Sequence, residues 1–425
     1  MRKISVVLVC LLGACNSEPT GEQPPPLVEP EPGLQFPRDA TAFEAELAAI
    51  DEEIAKAEDR ATEQTGSWLV LEKIAGLWMR RARLSGDYDD YAKAEDALAR
   101  AFERAPEGSG PMLSRAALNF TLHRVDAVSP DLDAVANRIL LDDITHAVVE
   151  SMRGDVAFAR GQYPEALTHY EAALALHRTP NVLSKLALWR WRMGEFDQAE
   201  ALYLEAEEML VGASLEPRAW TDLQLGIMDL ERGRYQDAFN HYRAGAEDLG
   251  GWWLIEEHIA EIAVLLGMPK FALALYDDII ARTGKPEFID AKASLLIASG
   301  DNEGAAELIE QATARYEAEL ARFPEASYGH ALDHYLEFGP PERALELAEA
   351  NHTLRPNVEA KLGLAEARLG VGDVAGAKTI VDEALATDYV SADLFWIASQ
   401  VYEAHGDQEQ AASLREQALA LNPRL

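Results

Sequence analysis

A glycine followed five residues later by an alanine recurs eight times along the carboxy-terminal two-thirds of this chain. The glycines are Gly161, Gly194, Gly233, Gly267, Gly300, Gly339, Gly372 and Gly406; the alanines are Ala166, Ala199, Ala238, Ala272, Ala305, Ala344, Ala377 and Ala411. Successive alanines stand 33, 39, 34, 33, 39, 33 and 34 residues apart. Self-similarity at such a period marks an array of stacked supersecondary units sharing one continuous core. The stretch from Arg153 to Leu176, RGDVAFARGQYPEALTHYEAALAL, shows the unit: two short amphipathic helices joined at Gly161.

Each recurring residue type has a mechanical reason. Glycine takes the left-handed conformation that ends a helix at a tight turn. Alanine lets the second helix approach its neighbour, where a larger side chain would typically cost about 1–3 kcal/mol by overpacking. Seven residues before the glycines stand Gly154, Ala187, Gly226, Ala260, Ala293, Leu332, Ala365 and Ser399, mostly small for the same reason. Four residues after the alanines come Tyr170, Tyr203, Tyr242 and Tyr276, expected as core spacers rather than catalytic phenols, then Ile309, Ala348, Val381 and Arg415.

Spacing and residue types together resemble the tetratricopeptide repeat. The resemblance implies an all-α, right-handed superhelical solenoid of helix-turn-helix repeats, and it is specific for fold but not for function. Composition agrees, because Ala, Leu and Glu abound in a chain that is 48% hydrophobic, and helix propensity is high along most of its length. Despite 425 residues, one elongated domain is expected.

The chain divides into a leader over 1–14, a Pro/Glu-rich tether over 15–38, an irregular helical part over 39–146 and eight regular repeats over 147–425. Within the irregular part, Phe43, Leu47, Ile50, Ile54, Ala57 and Ala61 mark one helix face. That helix is expected to cap the first repeat, the alternative being a short coiled coil. A degenerate repeat follows over Trp68 to Pro106, with Asp87 to Lys93 read as a widened turn. Pro111 to Leu141 supplies a further pair, its second helix starting near Pro130. The two 39-residue intervals predict a loop over Val211 to Pro217 and a lengthened helix ended by Pro324.

Both cysteines lie in the first fifteen residues. Arg2 and Lys3 precede an apolar run, and Leu12, Gly13, Ala14 and Cys15 resemble the lipobox of a bacterial lipoprotein; an ordinary secretory signal is the alternative. The resemblance implies cleavage before Cys15, its acylation and anchorage to a lipid bilayer. Asn16 in place of Asp then implies an outer-membrane location facing the periplasm rather than the inner membrane. At ~3 Å per residue the proline-rich tether would reach roughly 60–70 Å.

A net charge of −35 excludes nucleic acid as a partner, since neutralising phosphates takes clustered Lys and Arg. A basic protein or peptide segment fits the charge, and so does plain solubility of a large helical surface. By the family resemblance, the inner groove is lined from fixed positions of each first helix. The resulting candidates are Asp155, Phe158, Trp191, Trp220 and Leu230, grading into the acidic Glu257, Glu261 and Asp290, with Trp396 near the end. Trp191 and Trp220 stand out as aromatic anchors, unless the amino-terminal helices fold over them.

Catalytic signatures are absent: there is no GxSxG, P-loop, CxxC or EF-hand pattern, and Gly370, Gly372 and Gly376 sit between helices rather than after a strand. No enzyme and no cofactor are expected. His330 and His334 are spaced for one helix face, but no third metal ligand is fixed by sequence. The expectation is a membrane-anchored, non-enzymatic scaffold for a protein or peptide. The alternatives are a carrier of a soluble ligand or divalent metal on the acidic face, and an enzyme on a solenoid scaffold.

Overall fold

The computed structural model describes residues 40–138, 140–210 and 215–425; the leader, Cys15 and the tether lie outside them. The described residues are helical, without strands. Helix α1 (Thr41–Glu63) is followed by ten antiparallel pairs. These are α2 (Trp68–Ser85) with α3 (Tyr88–Arg104), α4 (Met112–Thr121) with α5 (Val128–Ala136), and α6 (Asp143–Ala159) with α7 (Tyr163–Leu176). Next come α8 (Pro180–Arg192) with α9 (Phe196–Glu208), α10 (Leu215–Glu231) with α11 (Tyr235–Asp248), and α12 (Trp253–Leu265) with α13 (Pro269–Thr283). The array ends with α14 (Pro286–Ser299) and α15 (Asn302–Arg322), α16 (Pro324–Phe338) and α17 (Pro341–Leu354), α18 (Val358–Gly370) and α19 (Val374–Leu385), then α20 (Ala392–His405) and α21 (Gln408–Leu421). Each helix packs chiefly on its sequence neighbours, which makes the chain an all-α repeat superhelix. Among the described residues, no helix is long and apolar enough to cross a membrane.

The repeat chemistry operates as its residue types dictate. The five-residue alanines are buried, as are Tyr170, Tyr203, Tyr242 and Tyr276. A methyl group at Gly154 would overlap the Tyr170 ring, and one at Gly226 the Tyr242 ring; the small position therefore exists to seat the tyrosine. Seven of the eight turn glycines have positive φ. The exception corrects the general expectation: Gly339 has φ −106° and ψ −179°, because Pro340 follows it and a residue before proline is driven into the extended region.

Two irregular segments differ from expectation, and of the loop expected over Val211 to Pro217, residues 211–214 lie outside the described residues. Asp87 to Lys93 is not a widened turn: α3 starts at Tyr88, and Asp87 caps it by accepting from the Asp89 amide. The extra residues are helical, so Tyr91 occupies the usual alanine position and Ala94 lies farther along. In the second pair α5 begins at Val128, with Pro130 in its first turn. Pro217 belongs to the first turn of α10 rather than to a loop, where its missing N–H costs nothing. The other long interval is taken up by α15, which runs for 21 residues.

Instead of extending as an open spiral, the superhelix turns back onto itself. The end of the first helix or the turn of one pair meets the start of the pair five or six further on. Trp253 Nε1 donates to the Leu84 carbonyl at 2.8 Å, and the Val358 amide donates to the Tyr163 hydroxyl at 3.0 Å. The Val390 amide donates to the Arg192 carbonyl at 2.8 Å. An ideal Cβ at Gly161 would stand 2.9 Å from the Pro356 carbonyl, and one at Gly194 would stand 3.2 Å from Val390. Ion pairs Arg322–Asp89 and Arg124–Glu325 add to the seam. Consecutive superhelical turns are clasped together, and the groove is closed along its edge.

Helix α1 caps the array. Phe43, Ile50, Ile54, Ala57 and Ala61 are buried in the same core as α2 and α3, while Ala40 packs on Gly251 between α11 and α12. It covers an end of the superhelix, and the clasp rather than this helix closes the groove.

Candidate functional site: a central chamber

Closure leaves a cavity of about 370 Å³ along the inner wall, continuous with a second of about 320 Å³ through shared Arg192, Glu231, His330, Asp333 and Glu359. Such volumes suit a small molecule or a few residues of peptide. First helices of consecutive pairs build the wall, because residues four apart on a helix share a face.

Helix α12 contributes Trp253, Glu257, His258 and Glu261. His258 Nδ1 is hydrogen-bonded to Glu261 Oε2 at 3.2 Å, while its Nε2 lies 3.2 Å from Glu257 without a hydrogen bond, so one imidazole stands between two carboxylates. The Tyr242 ring stacks on that imidazole at 5.4 Å and 16°, fixing its plane. Burial pushes the Glu257 carboxyl up to about 7; His258 opposes this, and Glu261 and Glu287 reinforce it. Glu261 is 5% exposed, and its Oε1 has no hydrogen-bond partner.

Helix α14 adds Glu287, Phe288 and Asp290. Lys285 Nζ lies 3.3 Å from Glu287. Asp290 is 2.9 Å from His334 Nδ1, whose Nε2 stands 2.8 Å from the Thr313 hydroxyl. Both ring nitrogens of His334 are thus engaged. His330, one turn earlier on α16, faces both cavities, and burial lowers it to about 4. Among the described residues, no group of three or more His, Cys, Asp or Glu side chains is placed to hold a metal ion.

The apolar side is formed by Phe158, Leu188, Trp191 and Ile227. Arg192 follows Trp191, its guanidinium 4.3 Å from the indole ring, and pairs with Glu231 at 2.9 Å and Glu359 at 3.1 Å. Although burial works against the Glu359 charge, Arg192 and Arg355 outweigh it and hold that carboxyl at about 2. This trio joins α8, α10 and α18, and so belongs to the clasp as much as to the chamber.

Of the nine groove positions expected from sequence, the structure gathers Phe158, Trp191, Glu257, Glu261 and Asp290 in one cavity. The other four lie elsewhere. Asp155 accepts from the Tyr170 hydroxyl at 3.0 Å and pairs with Lys185; Trp220 packs edge-on to Tyr203; Leu230 is 5% exposed within the core; Trp396 lies under Arg415 near the last turn. Sequence reasoning missed Arg192, Glu231 and His258. His258 had a usable signal, a histidine flanked by Glu257 and Glu261 on one helix.

Two segments match models of the tetratricopeptide repeat, residues 145–209 and 362–424. They span α6 to α9 and α18 to α21, the most regular pairs of the array. Over these two segments the chain is similar to the tetratricopeptide repeat. No curated protein matches it. Solved structures similar to it include a human IFIT1 dimer with m7Gppp-AAAA, at 14% identity and TM-score 0.44, covering 87% of this chain and 95% of that one. Another is the apo quorum sensor NprR from B. thuringiensis, at 12% identity and TM-score 0.44, covering 82% and 97%. A tetratricopeptide repeat protein from Parabacteroides merdae matches at 16% identity and TM-score 0.34, covering 58% and 94%. Between the two matched segments, pairs α10/α11 to α16/α17 continue the helix-pair array and carry most of the chamber's acids.

Proposed function

We propose that this protein is a non-enzymatic scaffold of a bacterial cell envelope, anchored to the membrane through acylated Cys15, that holds a short segment of a protein partner in its central chamber. The carrying observation is the clasp, which turns an open groove into a chamber with acids on one side and aromatics on the other. A preformed wall needs little ordering when a segment docks, and that favours affinity. The lipobox resemblance supports the anchor, and Asn16 supports an outer membrane facing the periplasm.

The test is a pull-down of the lipidated full chain from its own envelope, beside a Gln224→Trp variant that fills the chamber. The expected result is a partner that co-purifies with the wild type and is lost from a variant with an unchanged helical spectrum. A partner retained by the filled variant would place binding on the outer surface and sink the reading. For the anchor, a Cys15→Ser chain is expected to leave the membrane fraction; its staying there would sink that part.

The closure itself favours a second reading. A cavity of about 370 Å³ shut along its edge also suits a free small molecule, and ligand-dependent stabilisation of the purified chain would identify one.

A further inference from the structure

We infer that the acidic end of the chamber, between Glu257, Glu261 and Glu287, is a subsite for one organic cation, a primary ammonium or a guanidinium group. This rests on the proposal that the chamber is the ligand site, and it specifies what the ligand must present there.

Charge balance is the first argument. Glu287 has the Lys285 ammonium at 3.3 Å. Glu257 and Glu261 have only His258 between them, 3.2 Å from each. One imidazole brings at most one positive charge to two buried carboxylates, so the pair is short of a cation even when His258 is protonated. Both acids are more than nine-tenths buried, at 7% and 5% exposure, where an unbalanced charge is expensive.

Glu261 also carries an orphan acceptor. Glu261 Oε1 is shielded from solvent, has no hydrogen-bond partner, and belongs to a side chain lining the chamber. Buried polar atoms are nearly always satisfied, so an unsatisfied one asks for a donor. An ammonium has three N–H donors and a guanidinium five; either serves both carboxylates at once.

Third, the surrounding wall selects an organic cation over a metal ion. Trp253 and Phe288, with ring centroids 5.6 Å apart, stand beside the acids in the same cavity. Aromatic faces attract ammonium and guanidinium groups and cover their alkyl stems. The Lys285 ammonium already lies 5.0 Å from the Trp253 ring. A metal would need gathered oxygen or nitrogen ligands, and among the described residues no such group exists. The raised Glu257 carboxyl agrees with this: a proton now partly offsets the missing charge, and an arriving cation would displace it.

The test is titration calorimetry on the full chain at pH 7 with three probes: an acetylated, amidated Ala-Lys-Ala tripeptide, its norleucine counterpart, and spermidine. The lysine peptide is expected to bind at least tenfold more tightly than the norleucine peptide, with proton release read from the slope of the observed heat against buffer ionisation heat. Glu261→Gln, which keeps the side chain's shape, is expected to abolish that preference without lowering thermal stability. Equal binding of the two peptides overturns the cation subsite but leaves peptide binding standing. If spermidine binds and neither peptide does, the subsite stands and a free amine replaces the peptide as its ligand. Binding of none of the three overturns the subsite, as does a preference that survives Glu261→Gln.

Discussion

The Val390 amide donates a 2.8 Å hydrogen bond to the carbonyl oxygen of Arg192, tying the loop before α20 to the end of α8. The same arginine points its guanidinium inward to Glu231 and Glu359. One residue thus fastens two superhelical turns with its backbone and shapes the chamber wall with its side chain. Arg192→Met leaves the half-exposed Glu359 and the partly buried Glu231 without their shared cation, and losing charge-assisted hydrogen bonds of this kind typically costs about 1–3 kcal/mol. Denaturant titration should show that loss, and the double variant with Glu359→Gln should recover part of it. A loss under about 1 kcal/mol would mean that the trio is solvated and does not hold the turns together.

Gly161 lies at φ +72°, and a Cβ there would stand 2.9 Å from the Pro356 carbonyl. Gly161→Ala meets both left-handed backbone strain and contact with the opposite superhelical turn. Together these should destabilise by about 2 kcal/mol and widen the seam. Solution scattering should register a larger radius of gyration, whereas Gly372→Ala, with φ +80° and open space around its Cβ, should cost stability without changing size.

Gly154 faces Tyr170 so closely that an added methyl overlaps the ring. Gly154→Ala is therefore expected to cost about 1–3 kcal/mol by overpacking. A double-mutant cycle with Tyr170→Leu checks the cause: the two losses should fall well short of additive, because the smaller partner makes room. Additive losses would show that the methyl group meets something other than Tyr170, since the helix backbone itself favours alanine over glycine.

Two buried groups oppose each other in pH dependence. Burial holds His330 at about 4, aided by Lys285 and Arg355 and resisted by Glu287. The native state then binds fewer protons than the unfolded chain between about 6.5 and 4, so stability falls as pH drops through that window. Glu257, raised to about 7, acts in reverse: the native state binds more protons between about 4.5 and 7, and stability falls as pH rises. His330→Gln should flatten the acid side of the urea-midpoint profile, and Glu257→Gln should stabilise the chain above pH 7 by roughly 1–3 kcal/mol. Parallel profiles for wild type and variants would show that neither group is desolvated.

The helical pairs were legible because their determinants are local. Gly161 and Ala166, or Gly154 and Tyr170, lie within one unit, and turn geometry and packing follow from their chemistry alone. The clasp was not legible, because Arg192 and Val390, or Tyr163 and Val358, meet only once the per-repeat rotation has accumulated over six pairs. The same rotation sorts the groove candidates. Trp220 and Leu230 occupy nominal inner positions, yet they pack against neighbouring helices, whereas Glu257 and Asp290 face the chamber. Gly339 failed to be left-handed for a purely local reason, the proline after it, which the sequence displayed openly.

An open solenoid has only nearest-neighbour interfaces, so it can fray from either end one unit at a time. The seam between turns changes that regime. Unfolding the last pair, α20 with α21, must also release Val390 from Arg192 and Asn422 from Gly233, and loss of the first pair must release Trp253 and Lys285. Each end of the array is thereby tied to its middle, slow amide exchange should extend to the terminal helices, and folding should be slower than its local contacts alone would allow, since long loops must close before the seam rewards them.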